Sequence, residues 1–397
     1  MNDKLFDVVV AGGGPVGWAC ALAAQVSLGK RARIAVVERD PLPEVDARNP
    51  MSARVYTVAS SNLAWLAEHG VLIDDARSAT VTDIQVFGRD GGSALRVDAN
   101  DVGRSELARV IEHDALALSI AEAAQRSGVA LIAGECIALH EVDGSRTIEL
   151  ADRTLLQSRL VLAADGATSR VREAVGLEVS RHAYPQQGVV ANLRCATAHG
   201  DTARQWFLPD GSILALLPLP GLDGAPAVSM VWSVSAQRAE LLCSLPEAAL
   251  LAEINAASGE AAGVCSVMSG TRSFPLSLLR VVNPVADRFL AVGDAAHAMH
   301  PLAGQGVNVG LADARCLFAL WQRVSEVHDD PGHTLLLSRY RRERYGPTLA
   351  MQLATDGLFR LYNQMDRPFL MAAGDAGMRL LGRLPVFRRT LSSSALQ

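Results

Sequence analysis

A glycine-rich turn near the N-terminus constrains the fold of this chain most strongly. The motif GxGxxG, Gly12 to Gly17, follows a β-branched run at 4–11 and precedes an alanine-rich stretch at 18–28. In such a motif Gly12 allows a tight turn, Gly14 allows close approach of a pyrophosphate to the backbone, and Gly17 allows the helix to pack on the strand. The pattern predicts strand, turn and helix, with phosphates at the helix N-terminus; a purely structural glycine turn is the alternative.

A second apolar run at 33–37 ends at Glu38 and completes a βαβ unit. Glu38 follows Gly17 by 21 residues, at the end of the second strand, where a carboxylate can accept hydrogen bonds from ribose hydroxyls. The spacing therefore predicts that this βαβ unit binds a nucleotide.

Composition excludes several other classes of protein. The chain has 397 residues, 49% of them hydrophobic and 20% charged, which is typical of a globular protein of two or three domains and not of a disordered or collagen-like one. The net charge of −5 offers no basic field for nucleic acid. The six cysteines are at least 22 residues apart, so no CxxC pair predicts a metal or disulfide site. Apolar runs are short and the N-terminus lacks a secretory pattern, so we expect a cytoplasmic protein.

Further along the chain, strand and helix patterns alternate. The pattern predicts a hairpin at 83–97, a helix at 105–127, short strands at 129–133, 136–142 and 146–150, a buried strand at 159–164, a strand-rich region at 184–235, a helix at 236–256, a strand at 288–293 and mainly helix from 304 onward. We expect the first βαβ unit and the strands near 160 and 290 to share one sheet, and the segments 83–97 and 184–284 to form a second domain.

Three segments resemble single-component flavin hydroxylases of the ubiquinone-biosynthesis type, the UbiH, UbiF and UbiI group. The run Leu160–Arg172 resembles their Asp-Gly motif, and Leu290–His297 resembles their Gly-Asp flavin motif. The run His300–Asp313, HPLAGQGVNVGLAD, matches the signature of that group throughout. Weaker similarity at Arg54–Ser60 and Val110–His113 extends the resemblance over nearly the whole chain.

The resemblance implies an α/β fold: a Rossmann-like FAD-binding domain interleaved with a smaller β-sheet-rich substrate domain, plus C-terminal helices. We expect the FAD-binding domain at 1–80, 101–180 and 285–345, the substrate domain at 81–100 and 181–284, and the C-terminal helical region at 346–397. The cofactors would be FAD, with NADPH or NADH as electron donor. The residues expected to bind the cofactor are Gly12, Gly14, Pro15, Gly17, Glu38, Arg39, Arg54, His113, Asp165, Gly293, Asp294, Pro301, Gly304, Gln305, Gly306, Val307 and Asn308.

Of these, Arg54, Pro301 and Gln305 are expected to contact the reacting centre. The family often has an acidic residue two positions before this arginine, whereas this chain has Ser52. Four of these residues also have a structural interpretation in place of cofactor binding. Asp294 and Asp165 could be helix caps. Arg54 and His113 could be solvated surface residues.

The implied reaction is hydroxylation of an aromatic ring, in which reduced flavin and O₂ form a C4a-hydroperoxide that transfers oxygen to a phenol. The substrate would be a lipidic, polyprenylated phenol or quinone precursor. Hydroxylation of a soluble aromatic metabolite, and a non-catalytic flavin-binding subunit, are the alternatives. We expect an apolar substrate pocket, for which the candidate residues are Trp206, Phe207, Leu216, Leu217 and Trp232; packing of the strands in the core is the alternative for the same residues.

The C-terminal stretch is the one strong charge asymmetry. Residues 360–397 contain six arginines, no lysine and two aspartates among many apolar residues. A basic amphipathic segment of this kind is typical of contact with an anionic membrane surface. Contact with a biosynthetic complex, or packing of the segment on the main body, would also fit the pattern.

Overall fold

The structure is a computed structural model that describes residues 5–45, 51–142, 144–221, 224–261, 263–299, 306–324 and 330–363. The expected βαβ unit consists of β1 (Leu5–Ala11), α1 (Pro15–Leu28) and β2 (Ile34–Glu38), with β1 and β2 parallel. Val8, Val9 and Val10 are fully buried because both faces of the sheet are covered. Side chains all round α1 are buried as well.

The first sheet is mainly parallel. Besides β1 and β2, its strands are β8 (Ala130–Ala133), β9 (Cys136–Val142), β10 (Ser145–Leu150), β11 (Leu155–Ala163), β18 (Val285–Ala286) and β19 (Phe289–Ala291). The strand order is β18-β19-β11-β1-β2-β8; β10 pairs antiparallel with β11, and β9 pairs antiparallel with β10. The strands near 160 and 290 therefore lie beside β1, so that Asp165 and Asp294 follow neighbouring strands at the same sheet edge.

The second sheet is mainly antiparallel. Its strands are β5 (Asp83–Phe87), β6 (Ser93–Asp98), β12 (Val179–Cys195), β13 (Thr202–Phe207), β14 (Ile213–Leu219), β15 (Ala227–Ser235), β16 (Val264–Val267) and β17 (Arg272–Val281). Their order is β16-β12-β15-β14-β13-β5-β6, and β17 also pairs with β12. Two helices, α5 (Ala236–Ser244) and α6 (Glu247–Ser258), cover one face of the sheet. The pair β5–β6 is the expected hairpin.

A third sheet of β3 (Val55–Ala59), β7 (Ala108–Glu112) and β4 (Ser78–Val81), in the order β3-β7-β4, lies between the other two. The expectation of a helix from 105 is wrong at its start, because β7 precedes α3 (His113–Ser127). β7 pairs with a strand on each side, which fixes its extended conformation. An apolar layer that includes Met51, Val110 and Leu217 joins this sheet to the second sheet.

The remaining helices are α2 (Ser60–Glu68), α4 (Arg170–Val175), α7 (Gly306–Val324) and α8 (Thr334–Asn363). The largest apolar cluster packs α1 against α7 and includes the buried Trp18 and Trp321. The domain boundary expected at 345–346 falls inside α8, which continues through Pro347. Within the described ranges no helix combines the length and hydropathy that crossing a bilayer requires.

Candidate active site

The first glycine turn permits no side chain at two of its positions. Gly12 has φ +108°, and a Cβ there would lie 2.5 Å from the carbonyl oxygen of Ala164. A Cβ on Gly17 would lie 1.9 Å from the carbonyl oxygen of Gly12. Both distances are far below van der Waals contact, so only glycine fits at these positions.

Gly14 differs, because a Cβ there would meet no atom of the described residues within 4 Å. Gly14 is the N-cap of α1 with φ −71° and ψ 173°, and no side chain caps the helix. Pro15 begins α1, and the first turn contains no acidic residue. The free N–H groups of this helix end therefore adjoin open space, which is the arrangement that binds a phosphate group.

Glu38 is fixed beside this turn. Its Oε2 accepts a hydrogen bond from the N–H of Gly13 at 2.5 Å, and its Oε1 accepts from the N–H groups of Arg39 and Asp40 at 2.8 and 3.2 Å. A carboxylate has about four acceptor positions, so one is left for a ribose hydroxyl. The guanidinium of Arg39 pairs with Asp40 at 3.0 Å on the surface.

Asp165 stands at the end of β11. Its Oδ2 accepts from the N–H of Arg170 at 2.9 Å, whereas its buried Oδ1 has no hydrogen-bond partner among the described residues. Ser169 caps α4, because its hydroxyl accepts from the N–H of Arg172 at 3.0 Å. The capping interpretation of Asp165 thus accounts for one oxygen, and the other is open to a ligand.

Arg172 is buried and connects the Asp-Gly turn to the Gly-Asp turn. It donates to the carbonyl oxygens of Ala295 at 2.9 Å and Ala167 at 3.2 Å. Burial lowers the pKa of this guanidinium. Arg170 instead points outward and pairs with Glu135 at 2.7 Å. Arg172 therefore orders the two turns.

Asp294 lies in a short 3-10 helix, Gly293–Ala295, directly after β19. Val292 occupies the N-cap of that helix, so the expectation that Asp294 could be a helix cap does not describe this residue. Asp294 is half-buried, and no described residue hydrogen-bonds to its carboxylate. A Cβ on Gly306 would lie 3.9 Å from its Oδ1, so the start of α7 adjoins this free carboxylate.

The first turn of α7 is anchored by Asn308. Its Oδ1 accepts from the N–H of Ala59 at 2.8 Å and from Asn62 at 3.0 Å, and its Nδ2 donates to the carbonyl oxygen of Thr57 at 2.7 Å. Val307 is buried in the core, so only its backbone can face a ligand. Pro301, Gly304 and Gln305 lie outside the described residues.

Arg54 and His113 meet at Tyr56, a residue that sequence reasoning missed. The hydroxyl of Tyr56 lies 2.9 Å from His113 Nδ1, and the Arg54 guanidinium lies 5.2 Å from the Tyr56 ring centroid. Burial raises the pKa of Tyr56 to about 12, and burial together with the charge of Arg54 lowers the pKa of His113. The sequence signal that could have found Tyr56 is the strand period, because residue 54, directly before β3, and residue 56 are two apart and so point to the same side of extended backbone.

Ser52, where the family pattern has an acid, is fixed by Glu112. The buried Oε2 of Glu112 accepts from the N–H of Ser52 at 2.6 Å, and Oε1 pairs with Arg77 at 3.0 Å. Burial raises the pKa of Glu112 above its ordinary value although both partners lower it. Glu112 thus holds the backbone before Arg54.

A buried ionic cluster behind the Gly-Asp turn was also missed. Asp313 on α7 pairs with His297 at 2.6 Å and Arg344 at 2.7 Å, and accepts from the N–H of Gly293 at 3.0 Å. Burial by itself raises the pKa of Asp313, but the charges of His297 and Arg344 outweigh it and hold that pKa well below its usual range. The sequence signal that could have revealed this cluster is the acidic residue Asp313 on the otherwise apolar face of α7.

The candidate pocket residues separate onto different faces of the second sheet. Trp206, Leu216 and Trp232 pack beneath α5 and α6, so the core-packing alternative describes these three residues. Alternating side chains point to opposite faces of a strand, so Leu217 instead lies in the apolar layer shared with the third sheet. Phe207 belongs to a separate cluster with Tyr184.

Together these residues define an α/β dinucleotide-binding site at the carboxyl edge of the first sheet. An FAD fits them on three observations: open space at Gly14 before an uncapped helix, a partnerless buried oxygen on Asp165, and a free carboxylate on Asp294 beside the start of α7. No group of three or more His, Cys, Asp or Glu that could hold a metal ion occurs in the part of the chain that the structure describes.

Comparison with known proteins identifies the family. A family model described as FAD binding domain matches residues 6–352. The chain is 31% identical over 377 residues to ubiquinone hydroxylase UbiL of Rhodospirillum rubrum, with 93% of this chain and 85% of that protein covered. It is 28% identical over 402 residues to 3-demethoxyubiquinol 3-hydroxylase of Escherichia coli, with both chains fully covered. The chain belongs to this family of FAD-dependent hydroxylases, and is an NAD(P)H- and FAD-dependent monooxygenase.

Solved structures support the same fold. The chain superposes on PqsL of P. aeruginosa with a TM-score of 0.76 at 19% identity, covering 94% of this chain and 100% of that one. It superposes on p-nitrophenol 4-monooxygenase PnpA of Pseudomonas putida with a TM-score of 0.76 at 19% identity, covering 99% of both chains. The expected α/β fold with an FAD-binding domain and a second sheet is confirmed.

Proposed function

We propose that this monooxygenase hydroxylates the aromatic ring of a polyprenylated phenol or quinone precursor in ubiquinone biosynthesis. The observation that carries the proposal is the extent of the similarity to the Rhodospirillum rubrum ubiquinone hydroxylase. The match covers 93% of this chain, so it includes the second sheet and not only the residues around the glycine turn. Similarity to the Escherichia coli hydroxylase over the full length supports the same conclusion.

Bound FAD, reduced by NADPH or NADH, would supply the activated oxygen for the reaction. The residues of the chain bind and orient the reactants. The N–H groups at the start of α1 would hold the pyrophosphate, and the free carboxylate of Asp294 would accept from a ribityl hydroxyl. The start of α7 carries partial positive charge and would favour negative charge on the adjacent flavin edge. No residue needs to act as the main acid or base.

The partly buried side chains that border the apolar layer between the second and third sheets would contact the substrate ring. Leu217 and Val231 contribute to this layer from the second sheet, and Val55 contributes from the third. An apolar layer excludes water, which protects a reactive oxygen donor from wasteful hydrolysis. A lipidic phenol is the substrate class that such a surface favours.

Turnover by the purified holoenzyme tests the substrate class. We expect a prenylated phenol to stimulate NAD(P)H oxidation and to yield a product heavier by one oxygen atom, measured by mass spectrometry. The matched control is the same phenol without its prenyl tail, which should give at least tenfold lower coupled turnover. Equal coupled turnover of both phenols would favour a soluble aromatic substrate, whereas no stimulation by any phenol would remove the proposed reaction.

Deletion of the gene tests the pathway. We expect quinone extracts from the deletion strain to accumulate a prenylated phenol that lacks one ring oxygen. Re-expression of the intact chain should restore the quinone pool, and the variant Gly14→Val should not. An unchanged pool in a strain without a second hydroxylase would contradict the proposal.

We also propose that the arginine-rich C-terminal stretch brings the enzyme to an anionic membrane surface, where a lipidic substrate resides. Residues 364–397 lie outside the described residues, so the proposal rests on their composition. Replacing Arg367, Arg379, Arg383, Arg388 and Arg389 by glutamine should abolish sedimentation with phosphatidylglycerol vesicles. The parent chain should bind those vesicles in a salt-sensitive manner and should not bind phosphatidylcholine vesicles. Unchanged binding by the variant would contradict this role.

A further inference from the structure

Tyr56 lies at the edge of the flavin site. The next residue on β3, Thr57, accepts a hydrogen bond through its carbonyl oxygen from Asn308 at 2.7 Å, which ties β3 to the first turn of α7. The start of α7 adjoins the free carboxylate of Asp294, and the charge of that carboxylate acts on the Tyr56 phenol. Tyr56 therefore borders the space in which the residues of the site would hold FAD.

The Tyr56 ring is held in place from two sides. Its backbone pairs with Ile111 of β7, and its hydroxyl lies 2.9 Å from His113 Nδ1. Burial raises the pKa of the phenol, and burial together with the charge of Arg54 lowers the pKa of His113, although Asp114 opposes that change. The phenol is therefore protonated and the imidazole neutral near neutral pH, so Nδ1 can accept a hydrogen bond from the hydroxyl. The backbone N–H of His113 donates to the carbonyl oxygen of Arg54 at 2.9 Å, which closes the cluster.

Arg54 is exposed, and its guanidinium lies over the Tyr56 ring, 5.2 Å from the ring centroid. A cation is attracted by the electron-rich face of an aromatic ring. No described carboxylate lies within ion-pair distance of Arg54, and Ser52 stands where the family often has an acid. A neutral ring can orient the guanidinium without cancelling its charge, whereas a carboxylate would do both.

We propose that Tyr56 is a positioning residue that holds the Arg54 guanidinium toward an anionic group of the bound FAD. The ring, fixed by β3 and His113, would limit the conformations of a long side chain that otherwise has solvent around it. The full charge of Arg54 would then be available to the cofactor. The proposal concerns cofactor binding and does not depend on which aromatic substrate the enzyme hydroxylates.

A double-variant cycle on FAD affinity tests this role. Dilution of the FAD-loaded protein, followed by the fluorescence of the released flavin, measures the dissociation constant of FAD. We expect Arg54→Gln to bind FAD about tenfold more weakly, because a charge-assisted contact is lost. Tyr56→Met fills most of the space of the ring without an aromatic face, and should bind FAD about fivefold more weakly. The double variant should stay within about twofold of Arg54→Gln, because Tyr56 acts through Arg54, whereas two independent roles would multiply to about fiftyfold.

Two matched controls isolate the aromatic face. Tyr56→Phe keeps that face and loses only the hydrogen bond to His113, so it should bind FAD within about twofold of the parent. Tyr345→Met removes a tyrosine of α8 that is 56% exposed, and should leave FAD affinity unchanged. Added KCl should weaken FAD binding in the parent and in Tyr56→Phe more than in Arg54→Gln and Tyr56→Met. Circular dichroism verifies that each variant is folded, and Tyr56→Leu replaces Tyr56→Met if that variant is not.

The reduction potential of the bound flavin identifies the anionic group. The ring of oxidised flavin is uncharged, so weaker binding of oxidised FAD would assign the pyrophosphate as the partner of Arg54. The same non-additive pattern in a lowered reduction potential, with affinity unchanged, would assign the reduced flavin ring. Losses that multiply in the double variant, or equal losses in Tyr56→Phe and Tyr56→Met, would overturn the proposal. An Arg54→Gln variant with the affinity and the reduction potential of the parent would overturn it as well.

Discussion

At the scale of single residues, the three motif glycines are required for different reasons. Gly12 and Gly17 have no room for a Cβ, because backbone oxygens occupy the space. Gly14 has room and adopts an extended conformation that any residue can adopt. Gly12 and Gly17 are therefore required for the backbone to fold, whereas Gly14 is required for a ligand to approach the helix N-terminus.

The first prediction follows from this difference. Gly14→Val should leave the free energy of unfolding of the apoprotein within about 1 kcal/mol of the parent, because a Cβ at this position has no described atom within 4 Å. FAD binding should fail, because the side chain occupies the approach to the α1 N–H groups. Gly17→Ala should instead lower the unfolding free energy by about 2 kcal/mol or more. Urea denaturation and flavin content distinguish the two, and normal flavin content in Gly14→Val would refute the assignment.

Asp294 gives the second prediction. Its carboxylate is half-buried and free of described protein partners, so Asp294→Asn removes little that stabilises the apoprotein. We expect an unfolding free energy within about 1 kcal/mol of the parent. Loss of a charge-assisted hydrogen bond to a ribityl hydroxyl should weaken FAD binding by about tenfold or more. Fluorescence titration with FAD measures the affinity, and full retention of FAD by the variant would contradict this role.

At the scale of elements, the tie between α7 and α8 depends on one buried acid. Asp313 on α7 contacts Arg344 on α8 and His297 after the Gly-Asp turn. Removing one member of a buried charge cluster leaves the others uncompensated, which costs about 3–5 kcal/mol. We therefore expect Asp313→Asn to be strongly destabilised near neutral pH.

The pH dependence of that loss is the third prediction. The pKa of Asp313 is lower in the folded protein than in the unfolded chain, so the unfolded chain binds more protons at acidic pH. The stabilisation is complete above about pH 4, the ordinary range of an aspartate, and declines as the pH falls towards the lower folded-state pKa. The difference in unfolding free energy between parent and Asp313→Asn should therefore shrink below pH 4. A difference that stays constant in urea denaturations from pH 7 to pH 3 would contradict the ionised pairing.

At the scale of the whole molecule, the second sheet is docked onto the third partly by Asn192. Its Nδ2 donates to the carbonyl oxygen of Ser52 at 2.9 Å, just before β3. Ser229 lies opposite Asn192 on β15, and its buried hydroxyl has no described partner. These neighbours offer a matched pair of substitutions.

The fourth prediction compares them. Asn192→Ala should lower the unfolding free energy by about 1–3 kcal/mol, because the half-buried carbonyl oxygen of Ser52 loses its donor. Ser229→Ala should be neutral or stabilising, because it removes a buried hydroxyl that pairs with nothing described. Hydrogen exchange should also become faster at β3 and β12 in Asn192→Ala only. Equal destabilisation by both substitutions would refute the docking role.

The sequence by itself determined the βαβ unit, the class of ligand and the family. These depend on local patterns: glycine spacing, β-branched runs and the acids that end them, all set by neighbouring residues. The helix expected from 105 was wrong, because β7 is held extended by pairing with β3 and β4 on either side. Short apolar runs do not distinguish a strand from a helix without such partners.

Only the tertiary structure decided which residues surround the flavin site and which form the ionic cluster behind the Gly-Asp turn. Tyr56 meets His113 across 57 residues of sequence, and Asp313 meets Arg344 across 31. The same holds for the second sheet, where packing of α5 and α6 assigned Trp206 to the face away from the third sheet. Contacts between distant segments depend on how helices and sheets pack, so a local pattern can mark Tyr56 or Asp313 as unusual but does not name the partner.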